Sequence, residues 1–173
     1  NQISRLIKSH STVIDVCSVK SYPVKIMEKR LPKDIGIIAT HPMFGPDSYT
    51  TNKKLKMMMN NTRDKHEKYN FWKNYFNDQG INIIEMSEDQ HDKLAAKTQG
   101  ITHLLGRILK DFGIQGSPID TQGFKDLLNI VDQTCNDSWE LFNDLQLYNP
   151  YTLKMINNLK KSFYNIEKKI IKD

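Results

Sequence analysis

Two short apolar runs near the start of the chain restrict its fold more than any other feature. Thr12-Val13-Ile14-Asp15-Val16-Cys17 and Ile35-Gly36-Ile37-Ile38-Ala39-Thr40 are rich in β-branched side chains and too short for helices. Polar Ser18 closes the first, and His41-Pro42 ends the second. Between them Val24 to Arg30 reads as a short helix stopped by Pro32. Continuous apolar runs joined by helical connections are the signature of a parallel sheet covered on both faces. Leu55 to Met59 is a candidate for a further strand, and Asn82-Ile83-Ile84-Glu85-Met86 reads as another. Between these, Asp64 to Asn77 carries Tyr69, Phe71, Trp72 and Phe76 at helix-like spacing. Residues 1–86 therefore read as the latter part of an α/β domain.

At Ser87 the period changes, and no strand is evident beyond it. Ser87-Glu88-Asp89-Gln90 supplies a hydroxyl cap and an acidic first turn for a helix. Leu94, Thr98, Ile101, Leu105, Ile108 and Phe112 then recur at steps of three and four until Gly113 and Gly116-Ser117-Pro118. Further helices are predicted from about Thr121 to Thr134, from Asp137 to Leu147, and from Asn149-Pro150 onward. The last carries the stripe Leu153, Ile156, Leu159, Phe163, Ile166 and Ile170. Residues 87–173 thus read as an all-α module that packs on itself or on a second subunit.

Composition removes several function classes. The 173 residues suffice for one domain or one and a half with a sizeable core. No apolar run is long enough to span a bilayer, so no membrane partner is expected. Cys17 and Cys135 form no CxxC pattern, which argues against a zinc site and for a reducing, cytoplasmic setting. The net charge is +5, yet only four of the 25 basic residues are arginine, namely Arg5, Arg30, Arg63 and Arg107. Lysines spread along solvated faces lack the planar fork that grips phosphates, so no nucleic-acid partner is expected.

Chemistry is most plausible beyond the C-terminal ends of the two strands, where open α/β sheets bind ligands. The His-Pro segment after the second strand fixes an imidazole there, and histidine's near-neutral pKa suits it to accept a proton from a substrate hydroxyl. Ser18 beside it could orient the same hydroxyl. The competing reading is two ordinary strand-to-loop turns. On the first long helix, Asp92, Gln99 and His103 are spaced by seven and four, with small Ala95, Ala96 and Gly106 nearby. That stripe leaves room for a ligand or for a neighbouring helix.

Four of these segments carry a resemblance, in one order along the chain. Ser18-Val19-Lys20, Thr40-His41-Pro42-Met43-Phe44-Gly45-Pro46-Asp47-Ser48, Glu88-Asp89-Gln90-His91-Asp92-Lys93 and Gln99-Gly100-Ile101-Thr102-His103 resemble the prephenate/arogenate dehydrogenase family of tyrosine biosynthesis. The likeness is strongest to its plant-type arogenate branch. It implies the C-terminal part of a Rossmann-type dinucleotide-binding domain followed by a helical domain that forms a homodimer. It implies oxidative decarboxylation of arogenate or prephenate, with hydride passing to NADP or NAD. His41 matches the catalytic histidine that hydrogen-bonds the ring hydroxyl, and Ser18 the serine supporting it and the nicotinamide end of the cofactor, beside Val19 and Pro42. His91 matches a gating histidine, Asp92 an acidic residue that accompanies arogenate preference, and Gln99 and His103 residues lining the substrate pocket.

Two departures stand against this likeness. Many microbial relatives carry a carboxylate-binding arginine on the second helix; here Gly123-Phe124-Lys125-Asp126-Leu127-Leu128 leads to Asn129, leaving Lys125 as a weak substitute. No GxGxxG occurs, although that loop presents backbone N–H groups to the cofactor pyrophosphate. The expectation is an N-terminally truncated family member, inactive alone. The alternatives are a non-catalytic dimerisation and substrate-pocket fragment, and a different β-hydroxyacid-type dehydrogenase using Lys93 or Lys97 as its acid–base.

Overall fold

A computed structural model describes residues 6–45 and 55–171. Asn1 to Arg5, and the Pro46-Asp47-Ser48 end of the His-Pro motif, lie outside the described residues. The chain divides into two compact units, Asn1–Asp92 and Lys93–Asp173.

The first unit contains β1 (Thr12–Asp15), α1 (Ser21–Arg30), β2 (Gly36–Pro42), β3 (Leu55–Arg63), α2 (Tyr69–Asp78) and β4 (Ile81–Glu85). The four strands form one sheet in the order β1-β2-β3-β4. Strand β1 runs parallel to β2, with Ile14 opposite Ile38, and β3 runs parallel to β4, with Met58 opposite Ile84. The central pair departs from the parallel sheet expected: β2 and β3 are antiparallel, with His41 opposite Met58. A parallel crossover normally needs a helix, and the Gly- and Pro-containing segment after Pro42 has no helical pattern. Ile38, Met59 and Tyr69 form the buried centre, with Ile14, Trp72, Phe76 and Ile83 packed against it. The aromatic face of α2 thus covers one side of the sheet.

Two helix starts differ from the sequence expectation for local reasons. Helix α1 begins at Ser21 rather than Val24, because Pro23 falls in the first turn, where its missing N–H removes no helical bond. Helix α2 begins at Tyr69 rather than Asp64. The Asp64 carboxylate instead accepts from the Lys68 and Tyr69 amides at 2.8 and 3.0 Å, and Glu67 takes a positive φ of 54° that breaks the helical path.

Helix α3 (Glu88–Ala95) opens on a reciprocal cap: Ser87 Oγ accepts from the Gln90 amide, and Gln90 Oε1 accepts from the Ser87 amide. The second unit holds a π-helical turn (Ala96–Gly100), then α4 (Ile101–Phe112), α5 (Gln122–Cys135), α6 (Trp139–Leu147) and α7 (Thr152–Ile170). Thr121 and Ser138 cap α5 and α6 through their hydroxyls. Gly113, with φ of 82°, terminates α4 in the left-handed region that glycine tolerates. Where α4 meets α5, a Cβ at Gly106 would lie 1.9 Å from Thr134 Oγ1, so only glycine permits this approach.

Candidate active site

The first unit brings three of the expected residues together. His41, the sixth residue of β2, is almost fully buried, and its Nδ1 lies 2.8 Å from Nε2 of His91 on α3. His91 Nδ1 lies 2.9 Å from Oδ1 of Asp92. The Asp92 carboxylate also accepts the backbone N–H groups of Lys20 and Ser21, both at 2.8 Å, and so caps α1 from 72 and 71 residues away. An anion at a helix N-terminus meets aligned peptide dipoles and otherwise unsatisfied donors. The Asp92 side chain, expected from the resemblance to accompany arogenate preference, is fully buried, and both its oxygens are engaged within the protein.

The electrostatics give this chain a direction. Burial alone would raise the Asp92 carboxyl, but hydrogen bonds from His91, Ser21 and Lys20 outweigh it and hold the group below its ordinary value. An ionised carboxylate only accepts, so His91 Nδ1 donates to it. With His91 Nε2 as the acceptor of the pair, His41 donates through Nδ1–H and keeps its lone pair on Nε2. This tautomer follows from the bonding network. The near-neutral titration expected of His41 is corrected. Burial pushes it down to about 3, assisted by His91 and the Lys20 ammonium and opposed by Asp92.

The remaining expected residues are distributed along the fold. Ser18 is half-buried in the connection from β1 to α1, Val19 beside it is buried, and Pro42 ends β2. Gln99 belongs to the second unit and sits in the π-helical turn, so the α-helical count behind its spacing from Asp92 does not hold through that turn. His103 is 3.5 Å from the Asp137 carboxylate, and burial lowers its pKa, with Asp137 opposing and Arg107 assisting. Lys125 is exposed in the first turn of α5. The second unit also has an open cleft of about 440 Å³ edged by Lys93, Lys97 and Lys154; it holds the two lysines of the alternative reading and none of the residues matched to a role in the dehydrogenase family.

Sequence reasoning missed the role of Lys20. It quoted this lysine only as the end of a motif, yet Lys20 is fully buried, with Nζ bonded to Asp15 Oδ2 and the Thr40 carbonyl. The available signal was a lysine directly after buried-type residues and five positions beyond the only acid in an apolar strand.

The residues fit the reactive end of a nicotinamide cofactor better than its pyrophosphate. Strand β1 ends opposite Ala39, three residues before the end of parallel β2, and Val16, 68% exposed, is an apolar residue of the connection that carries Ser18. The N-terminus of α1, which starts at this edge, already carries the Asp92 carboxylate and presents no free anion site. Among the described residues no group of three or more His, Cys, Asp or Glu could hold a metal ion, and no helix is long and apolar enough to cross a membrane.

Comparison with known proteins agrees with this layout. Residues 1–85 match the family model for the prephenate dehydrogenase nucleotide-binding domain, and residues 108–173 match the TYRAAT1-like C-terminal domain. Arogenate dehydrogenase 2, chloroplastic, of Arabidopsis thaliana is 36% identical over 163 residues, covering 91% of this chain and 46% of that protein. A probable arogenate/prephenate dehydrogenase of Methanocaldococcus jannaschii is 25% identical over 98% of this chain and 39% of its own length. The chain thus spans less than half the length of these relatives. The crystal structure of Aquifex aeolicus prephenate dehydrogenase in complex with hydroxyphenyl propionate and NAD+ shares the fold, with a TM-score of 0.75, 23% identity and coverage of 98% of this chain and 63% of that one. Synechocystis arogenate dehydrogenase does so with a TM-score of 0.70 and 18% identity, over 98% and 65% of the two chains. The buried histidine at the end of β2, the order of the motifs and both family models converge: residues 1–85 match the prephenate dehydrogenase nucleotide-binding domain, and the chain as a whole is similar to arogenate and prephenate dehydrogenases.

Proposed function

We propose that this chain forms the catalytic-histidine and helical part of an enzyme that oxidises and decarboxylates arogenate or prephenate. The observation that carries the reading is the buried line His41–His91–Asp92, which orients a neutral imidazole at the C-terminal edge of β2. When bound, NADP or NAD supplies the hydride acceptor. His41 receives the proton of the substrate's ring hydroxyl on Nε2. As hydride leaves the carbon bearing that hydroxyl, the group becomes a protonated carbonyl, a strong acid, so a base with a pKa of about 3 suffices to remove its proton. Loss of the ring carboxylate as carbon dioxide then gives the aromatic ring. Asp92 offsets the positive charge arising on His41, much as a buried acid orients and stabilises a catalytic imidazolium, and His91 holds the ring in place between them. Ser18, at the adjacent strand end, supports the hydroxyl and the nicotinamide end of the cofactor.

Steady-state oxidation of arogenate and prephenate by the complete gene product, with each cofactor, tests this reading. Turnover of at least one substrate supports it, and turnover of neither rejects it. We further propose that the protein is a two-fold homodimer through the helices of the second unit. The support is apolar surface left in water, with Phe112, Leu153, Phe163 and Ile170 each more than 70% exposed.

A further inference from the structure

We propose that Lys20 is a positioning residue for His41, fixing the peptide that precedes it and joining it to the buried acid Asp92. The inference rests on His41 acting as the base, but its geometry stands independently. The Lys20 ammonium is bonded to the carbonyl of Thr40, the residue directly before His41, and to Asp15 Oδ2. Asp15 in turn accepts the Thr40 amide at 3.2 Å on Oδ1, while Thr40 Oγ1 donates to the Asp15 carbonyl. All three polar groups of Thr40 are thereby tied to the pair Asp15–Lys20. On the other side, the Lys20 amide donates to Asp92 Oδ1, the same oxygen that faces His91 Nδ1. One residue therefore joins both supports of His41: its ammonium grips the strand, and its amide holds the acid behind the relay.

A salt bridge buried this fully is a poor stabiliser, because desolvating both charges offsets their attraction. A methionine of similar length would fill the same volume without that cost. The charge instead has a specific effect on its neighbour: the titratable groups acting on His41 are Lys20 from the β1–α1 connection and His91 and Asp92 from α3, and Lys20 opposes protonation. Strand β3 places uncharged Met58 opposite His41. Lys20 thus adds to the burial that keeps the imidazole unprotonated, while Asp92, through His91, keeps the lone pair on Nε2.

The test uses histidine-ring nitrogen NMR on the 173-residue chain, which reports the tautomer and titration of His41 without any need for turnover. In the unaltered chain His41 shows the Nδ1–H form and stays neutral on acidification. In Lys20→Met its titration midpoint rises by about one pH unit or more, and the second tautomer becomes populated. Ile37→Val, a loss of one buried methylene in the same strand, leaves both unchanged. A folded Lys20→Met whose His41 titrates and tautomerises as in the unaltered chain overturns the proposal. If Lys20→Met does not fold, the Lys20 ammonium resonance decides: protons protected from water support the account, and free exchange with solvent overturns it. If the complete gene product turns over neither substrate while these NMR results hold, the catalytic reading fails and the positioning geometry stands.

Discussion

Replacing His41 with asparagine will make the first unit less sensitive to mild acid. The ordinary pKa of 6.5 falls to about 3 in the folded protein. Below pH 6.5 the unfolded chain binds a proton at this residue and the folded chain does not, so stability is full above 6.5 and declines as the pH falls toward 3. The decline is about 1.4 kcal/mol per pH unit, or about 2 kcal/mol on moving from pH 7.5 to 5.0. Asp92 adds little in this window, because its ordinary value of 3.8 and its lowered folded value both lie below it. Trp72 packs against the core of the first unit, whereas Trp139 lies in the second. Urea unfolding followed by Trp72 fluorescence in a Trp139→Phe background therefore isolates the effect. The loss of stability between the two pH values should be about 2 kcal/mol smaller with His41→Asn. The same pH dependence with and without His41 would refute the buried, neutral imidazole.

Other expectations follow from single contacts. Gly106→Ala sets a Cβ 1.9 Å from a Thr134 hydroxyl already bonded to the Ile130 carbonyl. Overpacking of about 1–3 kcal/mol outweighs the helix-propensity gain, so thermal unfolding of the second unit moves to lower temperature; an unchanged midpoint contradicts the close helix approach. Calorimetry of the 173-residue chain with NADP or NAD shows no binding at sub-millimolar cofactor, since the α1 N-terminus is occupied by Asp92; stoichiometric binding contradicts that assignment. Light scattering at micromolar concentration gives twice the mass of one chain, and a monomer rejects the proposed dimer.

Much of this fold was legible because its signals are local. The strands β1 and β2, the Ser87 cap and the stripe on α7 follow from side-chain type and period alone. The antiparallel pairing of β2 with β3 was not legible, since direction is set by a connection and not by the strands' composition. The π-helical turn at Ala96–Gly100 was hidden for a related reason: three- and four-residue steps persist in the sequence while the backbone locally changes its rotation. His41 stood out as an imidazole at a strand end. Its coupling to His91, 50 residues away, needs the packing of α3 against the sheet's edge, and so does the capping of α1 by Asp92. The role of Lys20 was least visible, because a lysine beside a turn ordinarily signifies solvent.

The most direct measurement is the turnover of arogenate and prephenate by the complete gene product, unaltered and with His41→Asn. Losing a general base lowers kcat by about a hundred- to ten-thousand-fold, with KM little changed. His66→Asn serves as the control. That side chain bonds the Asp34 carbonyl and packs against His10, away from the His41–His91 pair, so its kcat stays at the unaltered value. An unchanged kcat in His41→Asn, or equal losses at both histidines, would contradict the assignment of His41 as the base.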